Sequence, residues 1–439
     1  MNFNGLTGKV ITPSDKEYPF LRLEYNRDIN KFPLAIVYCY DPIDVSNAIK
    51  WCKRNHIELR IRTGGHNYEG YSTDNDVLVI DTSYMNKIDI ATNNDIVKIQ
   101  AGANLWSVYS KLADKGYGFN GGTCPTVGIS GLVLGGGIGL SCRNFGLVAD
   151  NLLEIQIIND KGILLTANRN VNSELFWACR GAGGGNFGVV IAYIFKVYEV
   201  DKITVIQLRW NEVSRESFLN LWQCWLKTAN RKISCFAGFN KEGIYLNAFF
   251  YGNKLEAERI LKSFLLLPGL LEDSSIEYVP FIEAVRAIGS FYGPPNRFKA
   301  TGRFVYSSLS ERTIKNLVQY VDNSPGEDNC YIRLYSLGGA IREIPSNCSA
   351  FFYRNAEYII GITADWEKND DATLYKNWVE EVFQYVKPLT NGTYVNFPYA
   401  GLKNYGYEYY GENYPHLKKI KKIYDPNNIF KFEQSIKPY

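Results

Sequence analysis

Histidine is scarce in this chain: His56, His66 and His416 are the only three among 439 residues. No two of them stand at ligand spacing, which argues against a histidine-built zinc site and against several triad mechanisms at once; no metal is expected. Nine cysteines make an odd count, and their spacing contains neither a CxxC pair nor a disulfide framework. Free thiols and a reducing compartment follow from that. An excess of charge of one sign is also missing. The 48 basic and 45 acidic residues leave a net charge of +3, no footprint for nucleic acid or an anionic membrane. The opening stretch to Lys9 lacks the basic and apolar regions of a secretion signal. No apolar run approaches the roughly 18 residues of a spanning helix; the greasiest, Ile260 to Leu271, is cut by lysine, serine, proline and glycine. The expectation is a cytoplasmic protein whose partners include neither nucleic acid nor membrane.

What is present is an ordinary globular balance, 46% hydrophobic and 21% charged, long enough for a sizeable core and about two to three domains. From about residue 30 to 200, short β-branched runs alternate with helical stretches. Leu34–Cys39 reads as a buried strand, Pro42–Asn55 as an amphipathic helix, and Ile57–Arg62 as a strand that ends in a glycine turn. Further strands are predicted at Val77–Asp81, Ile96–Ala101, Leu153–Ile158 and Val189–Val197, with a helix at Leu105–Lys115. From about 201 to 390 glycines thin out. Helices at Arg215–Ala229, Lys254–Leu265 and Ala372–Tyr385 lie among alternating strands such as Tyr331–Leu337 and Glu357–Ala364. The class is α+β, with boundaries expected at 1–200, 201–390 and 391–439. The last segment is too small to stand alone and is expected to pack back on the rest.

Three glycine-dense loops stand out: Arg62–Tyr68, Gly121–Gly139 and Gly181–Gly188. Clustered glycines let successive backbone N–H groups converge on phosphate, because no Cβ blocks the approach. Several such loops in one domain point to an extended pyrophosphate ligand. Gly183-Gly184-Gly185-Asn186-Phe187-Gly188 formally matches G-x-G-x-x-G, but a helical segment precedes it and a strand follows. That is the reverse of the dinucleotide fingerprint, so a Rossmann domain is rejected. His66 sits at the tip of a glycine turn, either as a hydrogen-bonded loop histidine or as a ligand-facing group. Cys124 is flanked by glycines that offer a thiol few packing neighbours, which sets it apart from an ordinary core cysteine.

Arg62-Thr63-Gly64-Gly65-His66-Asn67-Tyr68-Glu69-Gly70 resembles the histidyl-flavin loop of the berberine-bridge-enzyme-like FAD-linked oxidases, in the vanillyl-alcohol-oxidase (PCMH-type) superfamily. Cys124-Pro125-Thr126-Val127-Gly128 resembles the cysteinyl-flavin loop of that family. Leu175–Gly181, Gly185–Gly188, Tyr424–Phe430 and Glu433–Ile436 match further signatures, so the resemblance spans nearly the whole chain. It implies a PCMH-type FAD-binding fold, formed by 1–200 and completed by the BBE-type tail, with a substrate domain of antiparallel sheet covered by helices. It also implies FAD attached twice, His66 to the flavin 8α-methyl and Cys124 to C6. Contacts to the cofactor are carried over onto Arg62, Thr63, Gly64, Gly65, Asn67, Val127, Gly128, Ser130, Gly131, Gly136, Gly137, Gly139, Gly188, Val190 and Asn396.

The resemblance further implies an oxidase that takes hydride from an alcohol or lactol carbon to flavin N5 and passes electrons to O2, releasing hydrogen peroxide. The substrate would be a sugar, an oligosaccharide or a secondary metabolite. Val127 occupies a position where valine accompanies oxygen reactivity in relatives. Tyr68 resembles a tyrosine on the substrate side of the flavin. Three departures matter: Phe397 stands where many relatives place a basic tyrosine, Ile359 where some place glutamate, and Leu132 where relatives often place histidine near the flavin. Tyr394 and Tyr399 are the remaining tyrosine candidates on that segment. The loss of the base also leaves room for a flavin-holding binding protein with weak catalysis, or for a dehydrogenase with another acceptor.

Overall fold

The computed structural model describes residues 2–91, 95–367 and 371–439. The first sheet joins β1 (Lys9–Ile11), β2 (Ala35–Tyr38), β3 (Leu59–Arg62) and β4 (Leu78–Asp81) in the order β1-β2-β4-β3. β4 runs parallel to both β2 and β3. The crossover between β2 and β3 is the helix Pro42–Asn55, at the predicted bounds. Its ends are locally encoded. The Asp41 side chain accepts from the Ile43 and Asp44 amides, Pro42 occupies the first turn, and Lys53 and Arg54 complement the last. The buried face, with Val45, Ile49 and Trp51, packs on Val37 and Ile80 of the sheet.

Next along the chain come β5 (Ile88–Ala91), β6 (Ile96–Gln100), β7 (Tyr117–Gly118), β8 (Leu152–Ile158), β9 (Leu164–Asn168), β10 (Val189–Lys196) and β11 (Tyr198–Glu199). Five of them form a sheet in the order β5-β6-β10-β8-β9, while β7 and β11 pair as a ribbon. The helix Ser173–Ala178 precedes the 183–188 glycine loop and β10 follows it, the order that excludes a Rossmann unit.

The third sheet contains β12 (Lys202–Trp210), β13 (Ile233–Phe239), β14 (Ile244–Phe250), β15 (Ser275–Pro280), β16 (Arg297–Val305), β17 (Cys330–Ser336), β18 (Tyr358–Trp366) and β19 (Asn391–Thr393). Its order is β15-β12-β14-β13-β17-β18-β16-β19, antiparallel at each pairing. Helices Arg215–Thr228, Glu311–Asp322 and Ala372–Val386 pack on it through buried residues such as Trp222, Leu317 and Val382. The single helix predicted over Lys254–Leu265 is broken into Lys254–Ile260 and Lys262–Leu265. The tail is held by a buried ion pair: Lys421 Nζ meets Asp425 at 2.7 Å and also donates to the carbonyls of Asn186 and Phe430. Asn186 Oδ1 accepts the Ile436 amide in return. The C-terminal segment is thereby stitched to the 183–188 loop. Among the described residues, no helix is long and apolar enough to cross a membrane.

Candidate functional site

One cavity of about 850 Å3 runs between the glycine loops and the third sheet. The loop after β3 supplies Thr63, Gly64, Gly65, His66, Asn67 and Tyr68 to its wall. Arg62, at the root of that loop, does not reach the cavity. It is buried against Asp81 at 2.6 Å and Glu24 at 3.7 Å, and Glu24 accepts from Ser72. Burial alone would weaken the hold of Arg62 on its proton; the carboxylates of Asp81 and Glu24 more than reverse this. The Asn67 side chain accepts from the Glu69 and Tyr71 amides, which turns the chain and presents His66.

The second loop leads to Cys124. Its backbone is tied to the helix Leu105–Ala113 by Leu105 N–H to Val127 O and Trp106 N–H to Pro125 O. The two loops touch: a Cβ built on Gly64 would meet the Gly128 amide nitrogen at 2.5 Å, so only glycine allows this approach. The contact brings the two predicted attachment residues together. Thr126 Oγ1 lies 3.1 Å from His66 Nε2 and 3.5 Å from Cys124 Sγ. Tyr25 stacks on the His66 imidazole at 4.0 Å. Burial lowers His66 to about 4, so the ring is neutral and a nitrogen lone pair is free at neutral pH.

The remaining predicted cofactor residues divide. Val127, Gly128, Ser130, Gly131, Gly188, Val190 and Asn396 line the cavity; Gly136, Gly137 and Gly139 lie behind it. Nothing stands within 4 Å of where a Cβ would sit on Gly131, and at Gly184 the nearest atom is 3.9 Å away. Backbone is thus open to a bulky ligand at both loops, as a pyrophosphate-bearing nucleotide requires. The donor set and the space fit FAD.

Of the three tyrosines singled out, Tyr68 and Tyr394 face the cavity and Tyr399 does not. Strand spacing predicts Tyr399 on the same face, but β19 ends at Thr393 and a turn follows, in which the Phe397 amide donates to Tyr394 O. Period two therefore fails, and Tyr399 packs against Phe383 at 4.2 Å. The Tyr394 hydroxyl is occupied, accepting from the Gly137 amide at 3.0 Å and from Asn396 at 3.1 Å. Tyr68 lies between Phe397, stacked at 5.4 Å, and Phe298, edge-on at 5.2 Å. Burial pushes both phenols above their ordinary value of 10.

Several cavity residues were not singled out by the sequence: Tyr25, Arg209, Tyr245, Tyr292, Arg333 and Tyr335. The signal was present in β17, where Tyr331, Arg333 and Tyr335 alternate with Ile332 and Leu334, and in β14, where Tyr245 and Asn247 alternate with Ile244 and Leu246, polar residues on one face and apolar on the other.

Fold, glycine cradle and paired loops define an FAD-binding α+β protein. Comparison with known proteins agrees. A family model described as FAD binding domain matches residues 33–168, and one described as Berberine and berberine like matches 393–437. The FAD-linked oxidoreductase YgaK of Bacillus subtilis is 36% identical over 445 residues, covering 99% of this chain and 97% of its own. Reticuline oxidase of Eschscholzia californica is 27% identical, covering 100% and 91%. The solved structure of Physcomitrella patens BBE-like 1 superposes with a TM-score of 0.91 at 28% identity, covering 98% and 97%. Berberine bridge enzyme from Eschscholzia californica gives 0.89 at 26%, covering 100% and 98%. The chain belongs to the berberine-bridge-enzyme-like family of FAD-linked oxidoreductases.

Proposed function

We propose that this protein is an oxidase with a doubly attached flavin, acting on an alcohol or lactol carbon of a small molecule such as a sugar, an oligosaccharide or a secondary metabolite. The observation that carries the reading is the meeting of His66 and Cys124 at the Thr126 hydroxyl on the wall of one cavity. His66 and Cys124 hold the isoalloxazine covalently. Thr63, Gly64, Gly65, Asn67, Val127, Gly128, Ser130, Gly131, Gly188, Val190 and Asn396 line its bed, and Arg62, Gly136, Gly137 and Gly139 support that bed from behind. Residues 1–200 with the tail 391–439 form the cofactor half, and 201–390 cover the substrate. FAD supplies the hydride acceptor at N5 and, by reoxidation with O2, the route to hydrogen peroxide.

The chain contributes orientation and proton handling. Tyr68 meets the reacting hydroxyl; kept neutral by burial, its phenol aligns that group and relays its proton toward cavity water. Tyr394 shapes the glycine bed, because its hydroxyl is committed to Gly137 and Asn396. Val127, half-buried at the wall, leaves space for oxygen.

The test is acid denaturation of the purified protein followed by separation of free pigment. Yellow colour should remain with the polypeptide, persist in His66→Ala and in Cys124→Ala, and leave in the double variant. Colour lost from the wild type in acid defeats the double attachment. Hydrogen peroxide formation with a panel of alcohols then separates an oxidase from a flavin-holding protein.

A further inference from the structure

The substrate side of the cavity carries two guanidinium groups in one cross-strand row. Arg209 on β12 pairs with Tyr245 on β14, which pairs with Gly238 on β13, then Arg333 on β17 and Gly361 on β18. Directly opposed residues project from the same face of an antiparallel sheet, so this row looks into the cavity together. The two glycines make the room. A Cβ on Gly238 would meet the Tyr245 hydroxyl at 2.8 Å, and one on Gly361 would meet the Tyr335 ring at 2.9 Å and Arg333 at 3.3 Å.

Neither arginine forms an ion pair among the described residues. Arg333 Nε and Arg209 Nη1 are closed off from solvent and have no hydrogen-bond partner. The guanidinium of Arg333 rests over Tyr331 at 4.9 Å, and that of Arg209 over Phe291 at 4.7 Å. Stacking of this kind offsets only part of the cost of taking a cation out of water. The acidic residues on the lining are Glu242 and Asp365. Asp365 is engaged by the amides of Asn329 and Asn296 at 3.2 and 3.3 Å, and neither acid lies within ion-pair distance of an arginine of the row. Asp365 lies near enough to Arg333, and Asp273 to Arg209, for their charges to interact, but neither contact is an ion pair, and a planar five-donor cation left so in a cavity wall is built to receive an anion.

We propose that the substrate is an acidic alcohol, a molecule carrying a carboxylate as well as the hydroxyl or lactol carbon to be oxidised, and that Arg333 binds the carboxylate with Arg209 adding to the field. This rests on the oxidation proposed above for the same cavity. Arg333 thereby sets specificity, while Tyr68 meets the reacting end.

The experiment compares paired substrates on the flavin-bearing protein: galacturonate against galactose, glucuronate against glucose, and an aromatic hydroxy acid against its amide. Carboxylates that cannot be oxidised are titrated separately while the flavin absorption band is followed, a measurement that requires no turnover. The expected result is a kcat/KM at least about 100-fold higher for an acid than for its neutral partner, as for a desolvated charge pair. A carboxylate should shift the flavin band where its amide does not. In Arg333→Met the acid-to-neutral ratio should collapse, with Arg333→Lys recovering part of it. The proposal is overturned if neutral partners are oxidised as well as the acids, or if carboxylates leave the band unmoved. It is also overturned if Arg333→Met slows both partners equally and displaces the pH profile of kcat, since the cation would then serve a neighbouring phenolate. If no alcohol in any pair is oxidised, the oxidase reading fails, and the titration still decides whether the row binds carboxylate. Should Arg333→Met fail to fold, the wild-type pairs and titration decide the proposal without it.

Discussion

His66 Nε2 and Cys124 Sγ share one neighbour, the Thr126 hydroxyl, at 3.1 and 3.5 Å. In the double attachment proposed above, this arrangement gives Thr126 a task. With the Thr126 hydroxyl oxygen accepting from Nε2–H, the ring proton is held on Nε2 and the Nδ1 lone pair is left as the nucleophile. In Thr126→Val the histidyl attachment should form more slowly, about five-fold for the loss of roughly 1 kcal/mol. Flavin incorporation into apoprotein carrying Cys124→Ala isolates that step. Equal rates with threonine and valine would remove the hydroxyl from the mechanism.

The imidazole of His66 also sets a pH dependence. Its ordinary value is near 6.5, and burial lowers it to about 4. As pH falls below about 6.5 the unfolded chain takes up a proton before the folded one does, so folding stability declines between there and about 4 and is unaffected above. The same shift keeps His66, the proposed nucleophile, neutral. Histidyl attachment in the Cys124→Ala background should hold its rate from pH 8 to pH 5 and fall below about 4. A rate already halved near 6.5 would mean the ring titrates as an exposed histidine.

Tyr68 and Tyr394 should separate cleanly by phenotype. Tyr68→Phe removes only the hydroxyl proposed to meet the substrate, and kcat is expected to drop about 100-fold with the fold intact. Tyr394→Phe instead leaves the buried Gly137 amide without its acceptor. Its cost should appear as about 1–3 kcal/mol of stability in denaturant titrations. Comparable loss of turnover in both variants, at unchanged stability, would contradict this division.

Lys421 and Asp425 are both fully buried, 2.7 Å apart. Lys421→Met strands a carboxylate in the interior and also frees the carbonyls of Asn186 and Phe430. The expected loss is about 3–5 kcal/mol, read as a shift in denaturation midpoint. Because Asn186 belongs to the cofactor loop, incorporation of FAD should weaken in parallel. An unchanged midpoint would show that the tail is held by apolar packing alone.

Much of this protein was legible from local pattern. The helix Pro42–Asn55, the strands β2, β4, β6, β8 and β10, and the glycine loops around His66 and Cys124 follow from hydrophobic period, capping residues and glycine clustering, all short-range properties of the chain. What tertiary structure alone decided is which side chains share a cavity. Tyr399 looked equivalent to Tyr394 until a turn after Thr393 carried it to Phe383. Arg209, Tyr245 and Arg333 looked like ordinary strand residues until the register of four strands lined them up. Strand order and register are set by burial summed over the whole sheet, with partners far apart in sequence, so no window of neighbouring residues contains that information.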